Sequence, residues 1–200
     1  MEVTSLEKSL ARQRAETLAA VQTRLGERVS LEDFLSFEPE IPGIKLEWNN
    51  GQVELEYLMK ADERKLIDRI IRKFNSTQAY LEGNSLLPEA DVHLTTVNSL
   101  RRPDVCYFTK QQIENPKDAP DASVWVIEVI SLSNTVVEID EKLTEYFTVG
   151  VQVVWVIYPR TRRIHVYTDA KTVKIFSDND ICSAAPAVPE LAMSVNEIFV

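Results

Sequence analysis

Apolar residues recur along this chain with two periods, one helical and one alternating. Over residues 5–25 the spacing is helical. Leu18, Val21 and Leu25 share one stripe, Leu6 and Leu10 a weaker one, and Gly26 is placed to stop the helix. Ser30-Leu-Glu-Asp33 reads as a capping box that opens a short helix through Leu35 and Phe37, ended by Pro39 and Pro42. Two short apolar runs joined by Asn50-Gly51 predict a β-hairpin over 44–57. A second stripe of Leu66, Ile67, Ile70, Ile71 and Phe74 predicts a helix over 61–81, with Gly83 as terminator. The second half is rich in strands, predicted over 92–97, 104–108, 123–130, 153–158 and 163–167, with an edge strand over 172–176. Between them a helix is predicted over 138–149, ending at Gly150. No element is assigned to the tail from Val188 to Phe199, and no internal repeat is visible. Helices placed early and between strands predict an α/β sandwich.

Composition narrows this picture. Two hundred residues with 44% hydrophobic content suffice for one domain with a real core. The expected division is a helical extension over 1–29 and a single domain over 30–200. A net charge of −9 argues against a protein that coats nucleic acid nonspecifically. The charge is uneven, however: residues 60–73 carry six basic against three acidic side chains, and 160–174 five against one. These segments read equally as solvated faces. Cys106, Cys182, His93 and His165 are spaced too widely for a structural zinc site, and two cysteines fit reduced thiols in a cytoplasmic protein. The N-terminus shows no signal-peptide pattern, and no apolar run approaches the ~20 residues of a membrane span.

The candidate chemistry centres on Glu128, which interrupts the apolar run Ser123-Val-Trp-Val-Ile-Glu128-Val-Ile-Ser131. A carboxylate in a buried strand is costly unless it is paired, protonated or bound to a metal. Upstream, Pro103-Asp104-Val-Cys106 puts a second carboxylate at the start of another strand. Side chains alternate along strands, so Asp104 shares a face with Cys106 and Phe108, and Glu128 with Val126 and Ile130. If the two strands are neighbours, their carboxylates converge. Two such groups with several waters suit Mg²⁺, or Mn²⁺ in its place. The bound metal would activate a water and neutralise phosphate charge. Lys142 lies on the helical stripe Ile139, Lys142, Leu143, Tyr146 and Phe147, as its charged member. It could orient the attacking water or hold a phosphate; equally, it could pair with Glu138 while its stem lies along apolar surface.

These residues resemble a known family. Arg102-Pro103-Asp104-Val105, Val126-Ile-Glu128-Val-Ile-Ser131-Leu-Ser133, the series Glu138, Lys142 and Tyr146, and Gly150-Val151 through Trp155 to Pro159 are similar to the Uma-two restriction-endonuclease family. This is a bacterial group, abundant in cyanobacteria, within the PD-(D/E)XK nuclease superfamily. Leu46-Glu47-Trp-Asn-Asn-Gly51 upstream and Pro189 to Phe199 at the end extend the resemblance over roughly residues 30–200. It implies a restriction-endonuclease-like α/β/α core with a central mixed β-sheet, and Asp104 and Glu128 as metal ligands. It also implies Glu47 as a further acidic residue near the metal. The superfamily lysine two residues after Glu128 is Ile130 here, and Lys142 on the next helix takes its place. Many members carry a histidine at the start of the helix after the hairpin, where this chain has Glu63 and Arg64.

The leading expectation is thus a Mg²⁺-dependent DNA endonuclease with Asp104, Glu128 and Lys142 as catalytic residues. It would be a homodimer if it cuts both strands, since a two-fold axis matches duplex symmetry. A second reading is a nuclease fold that no longer cuts and acts as a binding or assembly module. A third is a structural core in which Glu128 merely pairs with Lys142.

Overall fold

The computed structural model describes residues 28–36, 43–116 and 123–200, together with positions 12, 15, 16, 19–21 and 23. Those seven positions are helical, as the first stripe predicts, and Val21 is buried in a small core with Val29, Phe34, Trp48 and Leu55. Leu6, Leu10, Leu18, Leu25, Gly26, Phe37, Pro39 and Pro42 lie outside the described residues.

Helix α1 (Leu31–Ser36) follows Ser30, whose hydroxyl accepts the Asp33 amide. Strands β1 (Ile44–Asn49) and β2 (Gln52–Tyr57) then form the predicted hairpin, with Asn49 opposite Gln52. Asn50 and Gly51 both adopt positive φ, 48° and 90°, which matches the twist a two-residue turn needs. Helix α2 (Ala61–Phe74) is shorter than predicted, and α3 (Gln78–Leu81) is separate from it. The interruption falls at Asn75-Ser76-Thr77. Thr77 turns extended and its hydroxyl accepts the Tyr80 amide, a local bond that competes with helix continuation.

Strands β3 (Ser85–Pro88), β4 (Val92–Leu94), β5 (Ser99–Arg101) and β6 (Val105–Phe108) follow. The strand predicted over 92–97 ends at Leu94. A 3₁₀ turn over Thr95–Val97 and a left-handed Asn98 reverse the chain so that β5 pairs back onto β4. Next come α4 (Lys110–Glu114), β7 (Trp125–Val129), α5 (Val136–Thr148), β8 (Val153–Tyr158), β9 (Arg163–Asp169) and β10 (Thr172–Ser177). The tail forms a hairpin of β11 (Ile181–Ala184) and β12 (Val188–Ser194) and a last helix, α6 (Val195–Phe199).

The six-stranded sheet has the order β10-β9-β8-β7-β6-β3. It is mixed, because β7 and β8 are parallel with α5 crossing between them, while the other pairs are antiparallel. On one face, Ile67, Ile70 and Phe74 of α2 pack with Trp125, Ile127, Trp155 and Ile157. On the other, Leu143 and Tyr146 of α5 pack with Val126, Val154 and Val156. The result is the expected α/β/α sandwich around a mixed sheet. The hairpin does not join that sheet but heads a second one, β2-β1-β5-β4. No helix among the described residues is long and apolar enough to cross a membrane.

Phe74 is fully buried and meets Tyr80 and Tyr107 edge-on, with centroids 6.1 and 5.9 Å away. Phe74→Ala should destabilise the fold by about 3–5 kcal/mol in urea denaturation.

Candidate active site

The register of the central sheet brings the two candidate carboxylates together. Val105 lies opposite Ile127 and Cys106 opposite Val126, so Asp104, just before β6, reaches the neighbourhood of Glu128 on β7. Both side chains line one narrow cleft, with Glu56, Met59, Ser131 and Asn134 among its other walls. Asp104 Oδ2 accepts the Val129 amide at 2.7 Å, and its Oδ1 accepts Lys45 Nζ at 2.9 Å. Glu128 Oε1 accepts the Tyr146 hydroxyl at 2.6 Å and lies 3.8 Å from Lys142 Nζ. Both contacts meet the same oxygen, which leaves Oε2 for the cleft.

Behind the cleft lies a layer of buried charge. Alternation on the hairpin turns Ile44, Leu46 and Trp48 into the small core and Lys45 and Glu47 the other way, facing Glu56 and Glu54 on β2. Opposed carboxylates repel, and here Arg101 Nη1 bridges Glu47 and Glu54 while its other nitrogens hold Glu145 at 2.6 and 2.7 Å. Lys142 Nζ, 2% exposed at the residue level, lies 3.0 Å from Glu47 Oε2 and also donates to Glu56. The Arg102 amide donates to Glu47 Oε1 at 2.8 Å. Thus Asp104 and Glu128 stand at the cleft, whereas Glu47 and Lys142 stand one layer behind it. Lys142 is bound to Glu47 and Glu56 and lies close to Glu128.

This layer sets two carboxyls to opposite states. Burial works against the charge of Glu47, but Lys142, Lys45, Arg101 and the Arg102 amide overrule it and draw that carboxyl down to about 2. Burial pushes Glu128 up to about 7; Lys142 opposes this and Asp104 adds to it. Burial would also discharge Lys45, yet Asp104 and Glu56 hold its ammonium well above its ordinary range.

Sequence reasoning missed Lys45, Glu54, Glu56, Arg101 and Glu145. A signal existed in the hairpin, where Lys45 and Glu47, and Glu54 and Glu56, occupy alternate positions among apolar residues. Arg101 and Glu145 gave none, because each looks like an ordinary surface charge.

Among the described residues, no three His, Cys, Asp or Glu side chains are gathered as a ready metal cage. The donor set nonetheless fits a hard divalent cation completed by water. Asp104 and Glu128 offer carboxylate oxygens to one cleft, and the layer holds six carboxylates (Glu47, Glu54, Glu56, Asp104, Glu128, Glu145) against the cations Lys45, Arg101 and Lys142.

The family model described as "putative restriction endonuclease" (Uma2) matches residues 31–196. The chain belongs to the Uma2 family. Among solved structures, a putative nuclease belonging to DUF820 from Anabaena variabilis superposes with a TM-score of 0.72 at 18% identity, covering 86% of this chain and 97% of that one. At that identity the likeness establishes the fold, which is restriction-endonuclease-like. A search of curated proteins finds no match. The Uma2 match spans both candidate strands, the hairpin and α5, so every residue of the charged layer lies within it.

The raised Glu128 carboxyl makes a prediction about stability. Its native value, about 7, lies above the ordinary 4.5, so its contribution is present below pH 4.5 and lost as pH rises to 7. Glu128→Gln mimics the protonated form. In urea denaturation with a chelator present, wild type should lose roughly 1–3 kcal/mol relative to this variant between pH 4.5 and 7, and nothing more above. A simple Glu128–Lys142 pair predicts the opposite, a variant about 3–5 kcal/mol less stable at pH 8.

Proposed function

We propose that this Uma2 protein is a Mg²⁺-dependent DNA endonuclease of the cytoplasm, with Mn²⁺ able to replace Mg²⁺. The observation that carries this reading is the convergence of two carboxylates on one cleft, Asp104 just before β6 and Glu128 on the neighbouring strand β7. Asp104 and Glu128 would hold the ion. A bound divalent cation supplies a water of lowered pKa and neutralises charge on the scissile phosphate. The Val129 amide and Lys45 fix the two oxygens of Asp104, and the Tyr146 hydroxyl fixes Glu128 Oε1. Lys142 is proposed to stabilise negative charge beside Glu128. Glu47 is proposed to act near the metal through its hold on Lys142. Cutting both strands of a duplex calls for two copies about a two-fold axis, hence a homodimer.

One observation favours the alternative of a fold that binds without cutting. Lys45 already neutralises Asp104 at 2.9 Å, and Lys142 is engaged by Glu47 and Glu56. Plasmid cleavage separates the two readings. With Mg²⁺ or Mn²⁺, wild type should nick or linearise plasmid, and Asp104→Ala, Glu128→Ala and Lys142→Ala should each lose about 10²-fold or more. Equal activity in all four samples would mean a contaminating nuclease. No cleavage by any of them, with the cation bound, would leave the non-cutting fold.

A further inference from the structure

The cleft is not isolated, and its two ends differ in chemistry. On one side it adjoins a wider basin that shares Met59, Lys60 and Ser131 with it. Lys60 and Arg64 line this basin, and none of its walls among the described residues is a carboxylate. Both side chains are exposed, and neither forms an ion pair among the described residues. In a chain of net charge −9, whose other cations at the cleft are spent on carboxylates, these two are the charges that an incoming anion would meet. On the other side the cleft shares Ile130, Asn134 and Ile139 with a partly open hollow. That hollow is apolar and aromatic, walled by Leu143, Tyr158 and Tyr167, with Asp140 also lining it. A carboxylate there repels phosphate, so this end suits a base and not a backbone.

We propose that basin, cleft and hollow form one trough that seats a single DNA strand, with its backbone on Lys60 and Arg64 and one base turned into the Tyr158–Tyr167 hollow. The proposal rests on the nuclease reading of the cleft and adds a substrate form to it, a strand whose bases are unpaired where it is cut, as at a locally opened position of a plasmid duplex. A base within a closed duplex is stacked on its neighbours and cannot enter such a hollow, whereas a single strand offers each base's face to an aromatic side chain. Two cations in the basin neutralise few phosphates, which suits a strand held partly by stacking better than a duplex held by charge alone.

The test is fluorescence anisotropy of a labelled single-stranded DNA of about 12 nucleotides, with Ca²⁺ in place of Mg²⁺, over a salt series. Wild type should bind this strand more tightly than the same sequence as a blunt duplex. A Lys60→Ala, Arg64→Ala double variant should bind about tenfold more weakly, with a salt slope shallower by about one unit. A Tyr158→Ala, Tyr167→Ala variant should also lose about tenfold, with its salt slope unchanged. Circular dichroism checks that each variant is folded, and Tyr158→Phe, Tyr167→Phe, which keeps the stacking faces, should restore binding. Duplex preferred over single strand, or strand binding unchanged in both Ala variants, overturns the trough even if wild type cuts plasmid. Loss of binding in both variants supports it even if no cleavage is found, so the trough and the nuclease reading fail separately.

Discussion

The structure turns on a layer of charge that it cannot expose to water. Lys45, Glu47 and Arg101 are each 1% exposed or less, and Asp104, Glu128 and Lys142 are buried beside them. Removing such groups from water costs several kcal/mol each, and mutual attraction offsets this only where geometry is good and the remaining hydrogen bonds are made. They are made here by parts far apart in the chain. Arg101 of β5 joins β1, β2 and α5 through Glu47, Glu54 and Glu145. Lys142 joins α5 to the hairpin, and Lys45 joins the hairpin to the start of β6. The second sheet is thus clamped against the central one by ion pairs as well as by apolar contact.

That clamp explains why neighbouring carboxyls behave differently. Glu47 sits among three cations and an amide, and its charge is favoured despite full burial. Glu128 shares one lysine at 3.8 Å with closer competitors and has a hydroxyl as its nearest partner, so burial prevails. Groups driven apart in this way differ in place as well as in charge: Glu47 is enclosed among the scaffold's cations, and Glu128 lines the cleft. The two sit in one layer, so any change to Lys142 or Arg101 alters both.

Much of this was legible in order along the chain. The Asn50-Gly51 turn, the α2 stripe, and strands β6 to β9 with α5 between β7 and β8 all follow from period and turn chemistry. The exceptions have local causes. Asn75-Ser76-Thr77 breaks a helix whose apolar stripe had already ended at Phe74, and Asn98 reverses a run that reads as continuous strand. The tail hairpin, β11 and β12, was not assigned because its buried residues (Cys182, Ala184, Val188, Leu191 and Met193) are interleaved with Pro186 and Pro189, and the signal is weak without the sheet it packs on.

The candidate site divides along the same line. Glu128 was visible by itself, because a lone carboxylate in an apolar strand is an energetic contradiction that the sequence cannot hide. Asp104 and Lys142 were visible beside it through strand alternation, helical stripe and family resemblance. What the sequence could not contain is pairing across long distances. Lys45 lies 59 residues from Asp104 and Arg101 lies 54 from Glu47, and each reads alone as a solvated charge. Periodicity reports which face a side chain takes on its own element. Only the packing of two sheets and a helix decides which charges are stranded together away from water, and that desolvation sets which carboxylate holds its proton and which cation it meets.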